Sequence, residues 1–595
     1  MGISHSKVDD EKEEWEDRLT HVGTAVVKKL RTDHAHHHDK TWNITQSVMV
    51  GPIQQTPPVM TFTDEAWSEK INTQKWPENL PPAEWEKRHW HSDAFVDTMF
   101  DLMGKTTKWC DVMSLSPPIE GGYFWWKMLE ALHKIAETAK GNNNKKPIVV
   151  RMMFGFGAPQ GPSQNWFGLN DSPNKFAVDC EVWRNKLIKE AKLSEDANIE
   201  LWVGAWRYYD GWNHAKIIAV DGKYVHTGGH NLWSDSYLQK DPVHDLSIVL
   251  EGDVAHDGHL FANAQWEYVN YREATLWGKF LSMFPDWMPR ILVRATISEW
   301  PVGKAAKFAP SYDRSITIDG DNKPPEGAVP VISVGRQGAL VNGKPSDDAL
   351  ISMIDSSKKI IRMSLQSLAP MSLILYGWPI GIFQAMSRAM WDRGVSIQIV
   401  LTNLGTTYST GKLITIIQCE IFKCMKQMYS NVPNVTDKII EIIEKEKLTI
   451  SYIRHKGGKK YFREKKPDDD LPTVLSSVID KKDHDEVINH SKYIIVDDVC
   501  SYTGSQNLYV SNLAEWGVIV DDAKLTAKML EDYWNPMWKA SYEDPVSRKE
   551  FDCDTYEVIV NVKNNFEDFG DATISTDEKA EDFLEAIMRD DAPRL

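Results

Sequence analysis

The chain alternates between continuous apolar runs and stretches in which apolar residues recur every three or four positions. Apolar runs at 147–155 and 199–206 are typical of buried strands, and the helical spacing at 123–138 and 253–270 predicts helices. A further strand is predicted at 244–250, and the second half then repeats this order, with strands predicted at 359–365, 395–401, 448–454 and 516–520 and helices at 347–357, 381–392, 437–447 and 523–534. Strands that alternate with helices predict an α/β fold with mixed sheets.

The repetition predicts two pseudo-symmetric α/β/α sandwich halves, each a mixed sheet flanked by helices. With 595 residues, the chain is long for a single core, which agrees with two large domains. Residues 41–100 are expected to form an extended lead-in, and residues 271–330 to cross between the halves. The predicted divisions are a leader with a helix (1–100), a first half (101–325), a second half (326–545) and an acidic tail (546–595).

The leader has an amphipathic pattern that predicts a helix over residues 11–31. Acidic residues precede the apolar stripe and basic residues follow it, as the helix dipole favours. The stripe consists of Trp15, Leu19, Val22, Val26 and Leu30. We expect this face to dock on the protein body rather than to lie on a membrane. The histidine-rich loop after it (His34, His36, His37 and His38) is expected to be solvated rather than metal-binding.

The first residues match a lipidation pattern. Gly2 and Ser6 stand where N-myristoylation in a eukaryotic cell requires a glycine and a serine. A chance match in a disordered leader is the alternative, and the sequence leaves both open. One myristoyl chain anchors a protein only marginally, so a second membrane contact would be needed.

Charge and apolar content bear on the partners. The net charge is −17, but residues 551–595 alone hold thirteen acidic and four basic residues, so the rest of the chain is only mildly acidic. A nucleic-acid binder normally presents a basic surface, so no nucleic acid is expected as a partner.

The longest apolar stretch, 371–383, is too short to span a membrane and contains Pro379. We therefore expect no transmembrane helix, and we find no signal-peptide pattern.

One short pattern occurs twice and is the main feature of the sequence. A histidine, a lysine two residues later and an aspartate five residues after that recur 276 positions apart, as His214, Lys216 and Asp221 and as His490, Lys492 and Asp497. On a strand, residues i and i+2 face the same way, so each histidine and its lysine project into one site. The Asp-Gly step at residues 221–222 predicts a tight hairpin. One copy alone would indicate no more than a hairpin with an exposed histidine.

Each motif supplies groups suited to phosphoryl transfer. An imidazole acts as nucleophile or general acid near neutral pH, and an ammonium stabilises charge on a phosphoryl oxygen. A turn of small residues follows each motif and ends in Asn231 or Asn507, which add neutral phosphate-binding donors. Together these groups predict phosphodiester cleavage through a covalent phosphohistidine. Asp221 and Asp497 belong to the motif, but we expect them to support a turn or an ion pair.

The paired motifs resemble the HxKxxxxD motifs of the phospholipase D superfamily. Residues 212–221 and 227–238 are similar to the first motif region of bacterial secreted phospholipase D enzymes, and residues 502–509 and 513–521 are similar to their second. The resemblance covers about residues 100–545 and leaves out the leader and the acidic tail.

The resemblance implies an active site at the interface of the halves and a metal-independent, cofactor-free, ping-pong reaction on phosphatidylcholine-like lipids. Water would yield phosphatidic acid, and an alcohol would yield a new phospholipid by transphosphatidylation. His214 would be the nucleophile and His490 the general acid, although the pseudo-symmetry leaves the reverse order open. Asp245 and Glu515 match the positions of the acids that orient the two histidines.

The leading prediction is a phospholipase D that hydrolyses the head-group phosphodiester of glycerophospholipids. A phosphodiesterase or nuclease acting on nucleic acid, and a phospholipid synthase such as a cardiolipin synthase, stay open as alternatives. A non-catalytic scaffold is disfavoured because both motifs are intact. We expect a phospholipid membrane surface as partner, a monomer, and a cytoplasmic location that becomes peripheral on a membrane if Gly2 is acylated.

Overall fold

The structure is a computed structural model, and all structural statements refer to the residues it describes. These are 14–56, 93–118, 120–141, 146–155, 180–194, 197–208, 211–232, 237, 243–274, 297–298, 309–316, 324–338, 344–370, 377–402, 407–454, 488–543, 555 and 558–559. Gly2 and nearly all of the acidic tail lie outside the described residues, as does most of the predicted crossing at 271–330.

Strands account for the centre of the molecule. They are β1 (Trp42–Met49), β2 (Gln54–Thr56), β3 (Trp109–Ser114), β4 (Ile148–Phe154), β5 (Ile199–Ala205), β6 (Arg207–Tyr208), β7 (Gly211–Trp212), β8 (Ile217–Val220), β9 (Tyr224–Gly228), β10 (Asp245–Gly252), β11 (Ile297–Ser298), β12 (Val329–Gln337), β13 (Ile360–Leu365), β14 (Ser396–Leu401), β15 (Leu448–Tyr452), β16 (Lys492–Val496), β17 (Cys500–Gly504) and β18 (Ala514–Val520).

All of these strands except the β6–β7 ribbon form one mixed sheet. Its order is β11-β5-β4-β3-β8-β9-β10-β1-β12-β18-β17-β16-β13-β14-β15, with β2 beside β10. The β3-β4-β5 and β13-β14-β15 groups are parallel, and the pairs between them are antiparallel. The α/β fold with a mixed sheet flanked by helices is confirmed.

The sheet order reads the same from either side of the β1–β12 pair. Moving outward, β10-β9-β8-β3-β4-β5 on one side corresponds to β18-β17-β16-β13-β14-β15 on the other. Strand β1 pairs with β10 and β12 pairs with β18, so β1 is the counterpart of β12. The two halves therefore share a continuous sheet, and an approximate two-fold relation passes between its central strands.

The expectation of an extended lead-in over residues 41–100 was wrong. Strand β1 lies at the centre of the sheet, and the helix Asp93–Met103 packs on strand β8. Three of the buried side chains of β1 are polar, those of Asn43, Thr45 and Ser47. Because burial here does not follow hydrophobicity, the strand carried no apolar alternation that the sequence could reveal.

Helices cover both faces of the sheet. They are α1 (His21–Asp33), α2 (Asp93–Met103), α3 (Tyr123–Gly141), α4 (Cys180–Glu190), α5 (Val254–Ala274), α6 (Pro345–Ser356), α7 (Ile380–Arg393), α8 (Thr407–Met428), α9 (Val435–Glu444), α10 (Ala523–Met529) and α11 (Asn535–Trp538). One buried cluster joins both halves and contains Trp266 of α5 and Trp516 of β18. This shared core fixes the halves against each other, as a common active site requires. None of the helices in the described ranges is long and apolar enough to cross a membrane.

The leader helix predicted at residues 11–31 is divided. A short 3₁₀ turn at Glu14–Arg18 ends before Thr20, whose hydroxyl accepts the N–H groups of Val22 and Gly23 and begins α1. Val22, Val26 and Leu30 are buried in the second-half core, so docking of the apolar stripe is confirmed.

Polar contacts fix the start of α1 on the second half. The backbone N–H of Thr20 donates to Asp521 at 2.7 Å, and His21 Nε2 lies 2.8 Å from the Asp497 carboxylate. The leader therefore contacts the second motif through the aspartate of that motif.

Candidate active site

Each motif runs into the first strand of a β-hairpin. Strands β8 and β9 form the first hairpin and β16 and β17 the second. The motif aspartate lies in the turn with a positive φ, 54° at Asp221 and 53° at Asp497. This left-handed backbone is uncommon outside glycine, asparagine and aspartate, so the turn itself favours the residue that the motif requires.

The motif aspartates bind backbone amides rather than the histidines. Asp221 accepts three successive backbone N–H groups, those of residues 107–109, at 2.7–2.8 Å. Asp497 accepts those of residues 358–360 at 2.7–3.0 Å. Each carboxylate thus joins the hairpin turn to the start of the neighbouring strand, β3 or β13. Both aspartates support the site from its far end and do not contact the imidazoles.

The two motif histidines lie beside each other at the junction of the halves. Their ring centroids are 6.5 Å apart with an interplanar angle of 69°. Both side chains are buried, His214 at 1% and His490 at 2% exposure. The structure therefore brings together the residues that the sequence separates by 276 positions.

Backbone bonds cross between the halves at each histidine. The N–H of His214 donates to the carbonyl of Ala514 at 2.9 Å, and the N–H of His490 donates to the carbonyl of His244 at 2.7 Å. Each of these carbonyls directly precedes an acidic residue, Glu515 or Asp245. The main chain therefore places each histidine against the acid of the opposite half.

Each motif histidine also pairs through its side chain with a carboxylate of the opposite half. His214 Nδ1 lies 2.9 Å from Glu515 Oε2, and His490 Nδ1 lies 2.7 Å from Asp245 Oδ2. A carboxylate at Nδ1 fixes the tautomer and leaves Nε2 as the reacting nitrogen. His214 Nε2 has no hydrogen-bond partner among the described residues.

Burial keeps His214 neutral in the resting protein. It lowers the pKa of His214 to about 4; Glu515 opposes the decrease, and the ammonium groups of Lys216 and Lys492 add to it. A neutral imidazole has a lone pair on Nε2 and is the nucleophilic form of histidine. The electrostatics of this residue suit attack on phosphorus.

Both orienting acids are anionic. Burial opposes ionisation of Asp245 and Glu515, but the interaction with the adjacent histidine and the charges of nearby cations, Lys492 at Asp245 and Arg336 and Lys216 at Glu515, together lower the pKa of each carboxyl below its usual value. Tyr237 also donates to Asp245 at 3.0 Å, and Ser505 donates to Glu515 at 2.6 Å. Each carboxylate can therefore stabilise an imidazolium when its histidine takes up a proton.

The lysines and asparagines of the motifs surround the histidines. Each lysine ammonium donates to the carbonyl of the histidine in its own motif, Lys216 at 2.8 Å and Lys492 likewise. Asn507 donates to the hydroxyl of Tyr509 at 2.7 Å. The amide nitrogen and oxygen of Asn231 are buried and have no hydrogen-bond partner among the described residues. An orphaned buried amide is costly unless a ligand satisfies it, so Asn231 is suited to hold a phosphoryl oxygen.

Sequence comparison identifies the family. Residues 350–538 match the family model described as "Cardiolipin synthase, PLD-like domain". The phospholipase D of Streptomyces antibioticus is 24% identical over 373 residues, which cover 56% of this chain and 59% of that protein. Residues 350–538 therefore form a phospholipase D-like domain. The relation to the phospholipase D superfamily that the paired motifs predicted is confirmed.

Two solved structures show low similarity to this chain. The phosphatidylserine synthase of Haemophilus influenzae Rd KW20 is 13% identical, with a TM-score of 0.42 over 82% of this chain and 92% of that chain. The phospholipase D family member Nuc of Salmonella typhimurium is 20% identical, with a TM-score of 0.19 over 35% of this chain and 97% of that chain.

Asn213 and Asn489 position the two motif histidines, a role that the sequence did not predict. Asn213 donates to the carbonyl of Ser114 at 2.9 Å, and Asn489 donates to the carbonyl of Val400 at 3.1 Å and to the hydroxyl of Ser364. These bonds hold the residue before each histidine against the parallel strands of its own half. The signal was present in the sequence, because asparagine precedes the histidine in both copies.

The small residues after the two motifs, Gly229 and Ser505, suit the different lengths of the acids that they face, Asp245 and Glu515. A Cβ at Gly229 would lie 1.9 Å from Asp245 Oδ1, so only glycine leaves room for that carboxylate. The equivalent residue in the second half is Ser505, whose hydroxyl instead donates to the longer Glu515.

Among the described residues, no group of three or more histidines, cysteines or acids is arranged to hold a metal ion.

Proposed function

We propose that this protein is a phospholipase D that cleaves the head-group phosphodiester of glycerophospholipids, such as phosphatidylcholine, to phosphatidic acid through a phosphohistidine. The observation that carries the proposal is the pair of buried imidazoles, 6.5 Å apart and each held at Nδ1 by a carboxylate of the opposite half. One such imidazole can attack phosphorus while the other transfers the proton, which is the division of work that a double displacement needs.

In the first step, His214 Nε2 attacks phosphorus and the bond from phosphorus to the head-group oxygen breaks. His490, protonated, donates its Nε2 proton to that oxygen, and the head-group alcohol leaves. In the second step, neutral His490 takes a proton from water, the water oxygen attacks phosphorus, and the phosphorus–nitrogen bond breaks. Phosphatidic acid leaves and His490 is protonated again, so the cycle closes.

The remaining motif residues act on the charge of the phosphoryl group. Lys216 and Lys492 lie next to the histidines and stabilise the negative oxygens in the transition state. Asn231 and Asn507 supply neutral donors to the same oxygens. Glu515 and Asp245 stabilise His214 and His490 when each imidazole becomes cationic.

A second candidate function differs only in the molecule that accepts the phosphatidyl group in the second step. The family model that matches residues 350–538 is described as a cardiolipin synthase domain, which favours transfer of the phosphatidyl group to an alcohol in place of water. Both reactions pass through the same phosphohistidine. The chemistry of the second-step acceptor therefore separates a hydrolase from a phospholipid synthase.

The test uses phosphatidylcholine vesicles, ethanol and a chelator, with the full-length protein. We expect phosphatidic acid and phosphatidylethanol from the wild type and neither from His214→Ala or His490→Ala. His36→Ala, a change at an exposed histidine outside the site, is the matched control and should retain activity. No product from the wild type would refute the phospholipase proposal, and product from both active-site variants would refute the mechanism.

Two further arms address the alternatives. Glycerol, serine and phosphatidylglycerol as acceptors test the synthase candidate, because a synthase would form product with one of them far faster than with water. Single-stranded DNA tests the nuclease alternative, which predicts cleavage without lipid turnover.

We also propose that the protein acts as a monomer at a phospholipid surface, with Gly2 as an acyl attachment site. Mass spectrometry of the N-terminal peptide from eukaryotic cells would show the added myristoyl group. An unmodified Gly2 would refute the lipid anchor and leave the catalytic proposal unaffected.

A further inference from the structure

The two orienting acids have different neighbours on the adjacent strand. Glu515 on β18 faces Arg336 on β12, its register partner. Asp245 on β10 faces Thr56 on β2. The site departs here from the approximate two-fold relation, because the register partner of one acid is an arginine and that of the other is a threonine.

Arg336 is buried and shared between two carboxylates. Its side chain is 4% exposed, its Nη2 lies 4.0 Å from Glu515 Oε1, and its Nη1 lies 2.7 Å from Asp347 Oδ1. Nη2 also donates to Ser511 at 3.2 Å. Asp347 is the more exposed of the two acids, so solvent screens its charge more than that of Glu515.

Among the described residues, no arginine lies beside Asp245 as Arg336 lies beside Glu515, whereas the charge of Lys492 acts on Asp245 as that of Lys216 acts on Glu515. Asp245 is bonded by the hydroxyl of Tyr237 at 3.0 Å and by the backbone N–H of Leu246 at 2.9 Å, both neutral donors. The nearby ring of His230 is bonded to Thr56 and Ser247. Burial lowers the pKa of His230 to about 3, so this ring adds no positive charge near neutral pH. Asp245 is thus paired with His490 without an arginine that shares its charge.

We propose that Arg336 is the positioning residue that makes the two histidines chemically unequal, because its guanidinium shares the charge of Glu515 and leaves His214 less readily protonated. The proposal rests on the proposed phosphohistidine mechanism, and it supplies the reason for the order of roles. His214, beside the shared carboxylate, stays neutral and attacks. His490, beside Asp245, is then left the role of general acid toward the leaving group.

The other charged groups that face His214 are common to all the variants below. They are Glu515 from β18, Lys216 from the segment that precedes β8, and His490 and Lys492 from the second motif. Burial of the ring is also unchanged by a substitution at position 336. A shift in the titration of His214 therefore reports the charge at Arg336.

The experiment follows the His214 ring by NMR in full-length protein with ¹³C-labelled histidine, assigned by the signal that disappears in His214→Asn. In Arg336→Gln the full charge of Glu515 acts on His214, so its pKa should rise by about one unit, as expected for a change in a neighbouring charge. Arg336→Lys keeps the charge and should remain near the wild type. Asp347→Asn removes the competing carboxylate, so His214 should be less protonated than in the wild type at the same acidic pH.

The pKa of His214 in these three variants supports or overturns the proposed role of Arg336. An unchanged pKa in Arg336→Gln, equal shifts in the glutamine and lysine variants, or a rise in Asp347→Asn would each overturn it. If Arg336→Gln does not fold, two expectations remain to be tested, a lower pKa of His214 in Asp347→Asn and a pKa near that of the wild type in Arg336→Lys. The titration needs no substrate, so an inactive wild type would refute the proposed function without affecting this result.

The same proposal has a kinetic readout when the enzyme is active. The acidic limb of kcat/KM, which reports the free enzyme, should move to higher pH in Arg336→Gln and return in Arg336→Lys. A merely structural role for Arg336 would lower the plateau and leave the midpoint of that limb unchanged.

Discussion

His214 is held by Glu515, an acid 301 positions later in the chain, and not by the acid of its own half. The same crossing places Asp245 on His490. Neither half can therefore orient its own histidine, and the active site exists only when the shared sheet and core bring the halves together. This arrangement ties catalytic competence to docking of the two halves.

The crossing predicts which step each acid affects. Glu515→Gln should slow formation of the phosphohistidine, because it removes the carboxylate that stabilises cationic His214, with a loss of about 10²–10⁴-fold. Asp245→Asn should impair protonation of the leaving group. A lipid analogue with an acidic phenol as leaving group should therefore rescue the first step in Asp245→Asn but not in Glu515→Gln. Rapid-quench measurement of the first turnover checks this, and rescue of the glutamine variant would contradict the crossed assignment.

Gly229 and Ser505 provide a matched pair of substitutions. Gly229→Ala should displace Asp245, since the new methyl group would lie 1.9 Å from its Oδ1, and activity should fall by about 10²-fold or more. Ser505→Ala removes one hydrogen bond to Glu515 and should cost about tenfold. Initial rates on vesicles, normalised to folded protein by near-ultraviolet circular dichroism, compare them. A smaller effect at Gly229 than at Ser505 would show that Asp245 has more room than the structure gives it.

The turn aspartates are expected to matter for stability. Asp221→Ala removes the acceptor for three backbone N–H groups and places alanine at a φ of 54°, so unfolding free energy should fall by about 2–4 kcal/mol. Asp221→Asn tolerates the left-handed backbone and should lose about half as much. Urea unfolding measures both. Activity per folded molecule should fall far less than in Lys216→Ala, and an equal loss would indicate a direct chemical role for Asp221.

Buried histidines should make the protein sensitive to acid. Burial lowers the pKa of His226 to about 4 from 6.5. Between these values the unfolded chain binds a proton that the folded chain does not. The contribution of neutral His226 to the free energy of unfolding is therefore complete above pH 6.5 and decreases as the pH falls toward 4. One such histidine contributes a slope of about 1.4 kcal/mol per pH unit.

The measurement is urea unfolding across this pH range in the wild type and in His226→Leu. The variant should show a shallower pH dependence, because leucine cannot take up the proton in the unfolded chain. His36→Ala, at an exposed position, should follow the wild type. Parallel curves for the wild type and His226→Leu would show that His226 is able to ionise within the folded protein.

Local patterns determined a large part of this protein. The paired histidine–lysine–aspartate spacing was sufficient to recognise the superfamily and the α/β fold, since period-two and period-3.6 patterns are read from neighbouring residues alone. Helices such as Tyr123–Gly141 and strands such as Ile148–Phe154 were predicted for the same reason. Helix Thr407–Met428 was missed, although it buries an apolar face in the second-half core.

The tertiary structure decided the rest, because it depends on pairings between distant residues. Strand Trp42–Met49 belongs to the sheet since its polar buried face meets partners from both halves, and no local pattern shows that. The crossing of Glu515 and Asp245 follows from the register of β18 and β10 against the opposite motifs. Arg336 carried no motif signal and gains its place only from pairing with Glu515. The sequence by itself determined the two histidine–lysine–aspartate motifs, and the long-range pairing decided which carboxylate contacts which imidazole.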